Sequence, residues 1–344
     1  VYELAVGAEG ERMPVDETEP TGPTTLDRYW QDVEREENLR HGATLLDAPN
    51  QWFWETIVNG TSGTYPFEAE GVVPSVESGR LELSLRGATP EGDPELVLQV
   101  YVNEVPLDEL RWQGEESKRF EVSVPPDVVV EGTNTLRLEN TTEEYSGVLL
   151  DGFTCTYPRA SITDTGRLSG SWSSTGPASV TGTSGPVVDS TQVPPVWLSE
   201  VEATEGGVRF WAESGHRYEV GVLRPEVRRA GRLRLKRPQK GADYLLIGPR
   251  EFLAETEPLI TLRRSQGLTT RSISVEDVWA EFGHGEVRPE AIREFLSYAY
   301  HEWKSPQVRY VVLLGDGTYD YKDYLGYGVP NVIPPMLERT SYLW

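Results

Sequence analysis

Apolar residues follow two patterns along this chain. Between residues 241 and 323 they come as short unbroken runs, Tyr244 to Ile247 and Val308 to Leu314, separated by stretches with helical spacing. Runs of Val, Ile and Leu flanked by helices are how buried parallel strands read. LTTRSIS supplies another strand between them. In EFLAETEPLITLRRSQG, the positions Phe252, Leu259, Ile260 and Leu262 suit one sheet-covering helix that tolerates Pro258 and stops at Gly267. VEDVWAEF gives a short helix. Pro289 opens a longer one, whose Ile292, Phe295, Leu296 and Ala299 share a face. The order β-α-β-α-α-β predicts an α/β domain over 241–344, and an incomplete one, because three parallel strands are few for a stable open sheet.

Upstream the pattern changes to alternation. RLELSLRGA, LVLQVYVNEV, KRFEVSVP, NTLRLENTT and GVLLDGFTCTY each place apolar residues at every second position. The turn signals Glu91-Gly92-Asp93-Pro94 and Glu131-Gly132-Thr133-Asn134 separate some of them. Residues 46–160 are therefore expected to form a β-sandwich of jelly-roll type. Residues 161–240 begin with a Ser, Thr and Gly-rich stretch, yet Leu168, Trp172 and Val180 are spaced as in weak strands, and alternation continues around a Glu205-Gly206-Gly207 turn. A small β module is predicted there. Residues 1–45 read as an acidic leader or linker, with LDRYWQDVEREENLR a short helix or an extended segment. The whole is a multidomain α+β assembly.

Composition narrows the partners. The 344 residues carry a formal charge of -23, which excludes nucleic acid as a general partner because phosphate binding needs a basic footprint. Lysine occurs only at 118, 236, 240, 304 and 322, so the positive charge is mostly arginine. The one basic island, PEVRRAGRLRLKRPQK, reads either as an anion or membrane-surface patch or as a charged edge strand, the second being the commoner device. No run reaches the length of a membrane span, and no targeting segment is visible in a sequence that starts at Val1. A single cysteine, Cys155, allows no disulfide within the chain and no multi-cysteine metal site. It sits in an alternating strand with no histidine nearby, the setting of a buried structural thiol rather than a nucleophile.

Trp52, Phe53, Trp54 and Trp112 are aromatic candidates in the sandwich. Trp52 and Trp54 in particular could stack on sugar rings, or serve an interdomain contact. Clustered aromatics in a sandwich more often belong to its core. Asn59-Gly60-Thr61 and Asn140-Thr141-Thr142 match the glycosylation triplet, a pattern that also arises by chance.

Five ordered elements of the α/β region carry a resemblance. They are ADYLLI, the arginine-glycine stretch LRRSQGLTTRSIS, VEDVWAEFGHG, the segment Pro289 to Leu296, and the strand end Tyr310 to Asp316. In this order and spacing they are similar to the N-terminal part of the catalytic domain of gingipain-type cysteine peptidases. The preceding β modules resemble the non-catalytic modules found ahead of such domains. The resemblance implies a caspase-like, flavodoxin-like fold that hydrolyses peptide bonds with a Cys nucleophile and a His base, both on later strand ends. It also implies a secreted bacterial protein, extracellular or at the cell surface, acting on a protein or peptide substrate and needing no organic cofactor.

The reactive groups are not in this sequence. No Cys follows Cys155 and no His follows His301, so no catalytic residue is assigned. Gly283-His284-Gly285 imitates the family's histidine setting at the wrong place, before the Pro289 helix. His41 and His216 lack a partner pattern, and His301 ends a helix, where a cation-capable side chain is ordinary. Asp316, Asp320 and Asp323 recur in a Gly and Tyr-rich loop after the third strand, and the resemblance implies a calcium role for Asp316, weighed against simple capping of backbone amides. Asp320 and Asp323 read as solvated side chains. Two readings of the whole follow: the N-terminal portion of a cysteine endopeptidase, or a non-enzymatic surface module with a degenerate peptidase domain and a glycan-binding or secretion-partner sandwich. A phosphate-binding doubly wound domain is disfavoured, since GPREF follows the first strand in place of a glycine-rich loop.

Overall fold

A computed structural model describes residues 13–42, 50–88, 95–221, 235–237 and 239–337. The Glu91 to Pro94 turn and most of the basic island lie outside the described residues. The chain divides into two compact units, Glu9–Pro225 and one built around Glu226–Trp344.

The β unit contains a jelly roll. Its strands Glu55–Val58, Gly147–Ala160, Gly79–Gly87 and Ser117–Val124 lie side by side in one sheet, and Ser62–Ala69, Gly132–Asn140, Leu96–Val102 and Val105–Trp112 in the other. Apart from the hairpin of Leu96–Val102 and Val105–Trp112, successive strands cross between the two sheets. Alternation explains the packing: Leu81, Leu83 and Leu85 from one sheet meet Leu96, Leu98, Leu136 and Leu138 from the other in a single core. That core also takes Cys155 and Phe153.

The first sheet does not stop at the jelly roll. Arg28–Glu36, in the expected leader, is a nine-residue strand that pairs antiparallel with Gly147–Ala160, Val33 opposite Cys155. On its other side Trp30 pairs with Ser171 of Arg167–Ser171. The sheet thus runs on, through Arg217–Gly221, Val187–Asp189 and Val196–Leu198, across the expected 160/161 boundary. These strands face a second, three-stranded sheet over a core of Leu168, Trp172, Val180, Phe210 and Tyr218. The spaced apolar residues of the Ser, Thr and Gly-rich stretch are core residues, as their spacing predicts. The Glu205 to Gly207 turn is the tip of a hairpin, with Gly206 at φ 83°, a conformation glycine adopts without strain.

In the second unit a three-stranded parallel sheet has Tyr244–Gly248 in the middle, Thr270–Ser274 on one side and Tyr310–Leu313 on the other. Leu245 and Ile247 point to the pair of helices Val275–Phe282 and Pro289–Glu302, while Tyr244 and Leu246 meet Ile260 of Glu257–Ser265. Helices therefore cover both faces. The single helix expected over EFLAETEPLITLRRSQG is two, Arg250–Ala254 and Glu257–Ser265. Pro258 is the reason: it has no N–H to give and in an unbroken helix its ring would clash with the carbonyl of Ala254, so it sits in the first turn of a new helix. Phe252 and Leu262, expected on the covering face, are exposed. The expected buried run at Val308 to Leu314 forms the strand Tyr310–Leu313, which lies at the sheet's edge among the described residues, with Tyr310, Val311 and Leu313 exposed and Val312 half-buried.

Candidate active-site scaffold

The carboxyl ends of the three parallel strands meet on one side of the sheet, where open α/β sheets place their ligands. After the central strand, Arg250 reaches the start of the helix Val275–Phe282, with Nη2 donating to Asp277 Oδ1 at 2.5 Å. Ser274, at the end of its strand, caps that helix: its hydroxyl accepts from Asp277 N at 3.4 Å and donates to Glu276. Burial works against the Glu276 carboxylate, but the Ser274 hydroxyl and nearby amides overcome it and hold the group below its usual range. This rim is charged and internally paired.

The third strand ends in the loop that carries the aspartates. Asp316 is exposed, and its Oδ1 accepts from the amide of Gly317 at 2.8 Å. Its carbonyl accepts from Ile333 N at 3.0 Å, which brings the far limb of the loop back to the strand end. Asn331 fixes the same closure, accepting from Thr318 N and donating to Thr318 O. Gly317 is required there, because a Cβ would come within 2.1 Å of the Ile333 carbonyl. Asp320, expected to be solvated, is 4% exposed, and its two oxygens accept from Tyr324 N and Leu325 N. Asp323 is exposed, with both oxygens on Gly328 N at 3.1 Å. Each carboxylate accepts from backbone amides of the loop, Asp316 through Oδ1 alone. Calcium takes six to eight oxygens, whereas among the described residues no three His, Cys, Asp or Glu side chains are grouped for a metal. The loop residues present do not by themselves fit a calcium ion.

The remaining candidates are accounted for individually. Cys155 is fully buried in the jelly-roll core, and burial together with the Asp32 charge pushes its thiol up to about 12. It belongs to the other compact unit. His284 sits at φ 53° in the turn between two helices, and His301 occupies the last turn of Pro289–Glu302 beside Tyr300. His216, which sequence left without a partner, places Nδ1 2.7 Å from Asp189 Oδ2 and Nε2 3.4 Å from Glu213 Oε2. His41 packs on Trp52 with ring centroids 4.9 Å apart and the planes tilted by 48°. Trp52 and Trp54 are each only 9% exposed. Trp54 lies against Tyr65 and parallel to Phe153, so it is a core residue and presents no ring to a sugar. Phe53 and Trp112 are buried as well.

Sequence reasoning missed one built feature. Glu281, buried at 5% exposure, accepts from Leu235 N at 2.7 Å and Lys236 N at 2.9 Å, and Trp303 Nε1 donates to Leu235 O at 3.1 Å. The segment just before the first parallel strand is thereby strapped to both helices on one face. A buried Glu on the polar-looking side of VEDVWAEF was the signal available.

Comparison with known proteins agrees with this geometry. Residues 237–342 match the family model of Peptidase family C25. Over these residues the α/β unit is similar to that peptidase family. Among solved structures, the dimeric latent PorU from Porphyromonas gingivalis is similar over 83% of this chain, with a TM-score of 0.56 and 14% identity, which shows a shared fold. This chain spans 29% of that one. A family 35 carbohydrate binding module from an environmental isolate aligns with 38% of this chain and 88% of its own, at 17% identity and a TM-score of 0.26. The carbohydrate-binding module CBM36 in complex with calcium and xylotriose aligns with 36% and 98%, at 12% identity and a TM-score of 0.25. No curated protein matches.

Proposed function

We propose that this chain is the scaffold portion of a gingipain-like cysteine endopeptidase. The parallel sheet and its strand-end loop form the floor of a peptide-bond-hydrolysing site whose Cys and His are contributed by polypeptide outside this sequence. The observation that carries this reading is the match of residues 237–342 to the peptidase family on an α/β unit that contains no thiol. Nucleophilic hydrolysis needs a thiolate within hydrogen-bond reach of an imidazole and close to oxyanion donors. The Leu314, Gly317 and Thr318 amides are taken by Ile247 O, Asp316 Oδ1 and Asn331 Oδ1, so the donors this chain could add are the amides of Gly315 and Asp316. The substrate is a protein or peptide, and the protein acts outside the cell or at its surface. Among the described residues no helix is long and apolar enough to cross a membrane.

The experiment is to express the chain with its natural continuation past Trp344. A strand-end His followed by a strand-end Cys, with thiol-dependent hydrolysis lost on replacing either, supports the reading. A continuation that folds and holds neither residue would sink it, and would favour the second reading, a degenerate peptidase domain serving as a surface or secretion module. The absence of any thiol from the α/β unit is what keeps that second reading in play.

A further inference from the structure

We propose that an apolar pocket of about 250 Å³ at one end of the jelly roll docks an extended segment of a partner protein, taking one large apolar side chain that has a lysine or arginine beside it. Val124 closes the strand Ser117–Val124, and Pro125 and Pro126, which cannot donate to a ladder, carry the chain across the end of the sandwich. Val72, Val130 and Pro158 complete the apolar lining. These walls are tied in place. Glu131 accepts from Gly71 N at 3.2 Å and from Val72 N at 2.9 Å, and Val73 N donates to Pro158 O at 3.1 Å. The buried Asn134 side chain accepts from Val130 N at 2.8 Å and donates to Val130 O at 2.7 Å. The pocket is therefore formed before a partner arrives, and binding carries little ordering cost on this side.

The mouth selects the charge of the partner. Asp127 stands in the turn at φ 66°, a left-handed conformation in which an aspartate can bond local backbone through its own carboxylate. Here that carboxylate is left open. Neither Asp127 nor Glu77 makes a side-chain hydrogen bond or ion pair among the described residues, and both are exposed at the pocket. No lysine, arginine or histidine lines it among the described residues. Arg28 comes near, donating from Nη1 to Pro74 O at 3.0 Å, and is outnumbered by the two carboxylates. An apolar hole with anionic lips complements an apolar side chain next to a cation. The volume falls below the roughly 300 to 1,000 Å³ of small-molecule sites, which suits one side chain of a longer segment. Val76, 91% exposed, and Val130, 47% exposed, extend the apolar surface outward for that segment's neighbouring residues. The site lies wholly within the β unit and stands independently of the peptidase reading.

Valine-methyl NMR on the 344-residue chain tests it, with three blocked hexapeptides as probes that carry leucine-lysine, leucine-glutamate or alanine-lysine at their centre. The leucine-lysine peptide is expected to shift the methyls of Val72 and Val130, and the alanine-lysine peptide to bind about tenfold more weakly for the apolar area it no longer buries. Asp127→Asn combined with Glu77→Gln is expected to weaken the leucine-lysine peptide about threefold and to remove its preference over leucine-glutamate. Asparagine tolerates the left-handed conformation, so the turn is kept. No shift at these valines, equal affinity for the three peptides, or binding that the double variant leaves unaltered would overturn the proposal. So would isopentylammonium ion binding as tightly as the leucine-lysine peptide, since the site would then belong to a small amine.

Discussion

The Glu281 carboxylate receives the backbone amide of Leu235 at 2.7 Å from within the helical layer of the α/β unit. Leu235 itself is buried in the core formed by Val278, Phe282 and Phe295. The strap preceding the first parallel strand is thus part of the domain. Glu281→Gln removes the charge and one acceptor, and is expected to cost about 1 to 3 kcal/mol, the range for leaving buried donors poorly paired. Hydrogen-exchange mass spectrometry should show protection lost first at residues 235–240. Unchanged protection there would mean that the strap is held by its side-chain packing alone.

Cys155 is expected to behave as a core residue. With its thiol pushed up to about 12 and its side chain fully buried, it should resist iodoacetamide at pH 8 in the native protein and react after unfolding. The sign of the linked pH effect follows. The folded thiol holds its proton beyond the ordinary thiol value of 9.0, so its contribution to stability is complete below pH 9 and falls as pH rises toward 12. Tyr29, raised to about 12 by burial, acts in the same direction from pH 10. Denaturation midpoints measured between pH 8 and 12 should fall, and Cys155→Ala should flatten part of that fall.

Trp54→Ala should damage folding. The ring packs on Tyr65 at 4.9 Å and on Phe153 at 6.1 Å inside the jelly roll, and deleting a buried aromatic costs about 3 to 5 kcal/mol. Thermal denaturation of the variant checks this. A variant with unaltered stability would place Trp54 at a surface after all.

Much of the fold could be read from the sequence because local pattern and burial agree there. Leu81, Leu83 and Leu85 alternate as their sheet demands, and Tyr244 to Ile247 is buried on both faces under helices. The leader strand Arg28–Glu36 was harder to see. Its sequence, RYWQDVERE, buries only Tyr29, and its place is set by nine paired residues of a strand more than a hundred positions away. Pairing is long-range, so no local period announces it. The broken helix at Pro258 was legible in principle, since proline opens helices more readily than it continues them. The candidate site was legible as a family and as a strand-end loop. The engagement of Asp320 with two amides was hidden, because a closure onto amides four and five residues on depends on loop geometry rather than on spacing.

The central claim is that this chain carries a peptidase scaffold without its reactive pair. The direct measurement is hydrolysis of casein and of fluorogenic arginyl and lysyl peptides by the 344-residue chain under reducing conditions. No turnover above the uncatalysed background is predicted. Thiol-dependent turnover that disappears in Cys155→Ser would contradict the account, because it would make a nucleophile of a buried core cysteine.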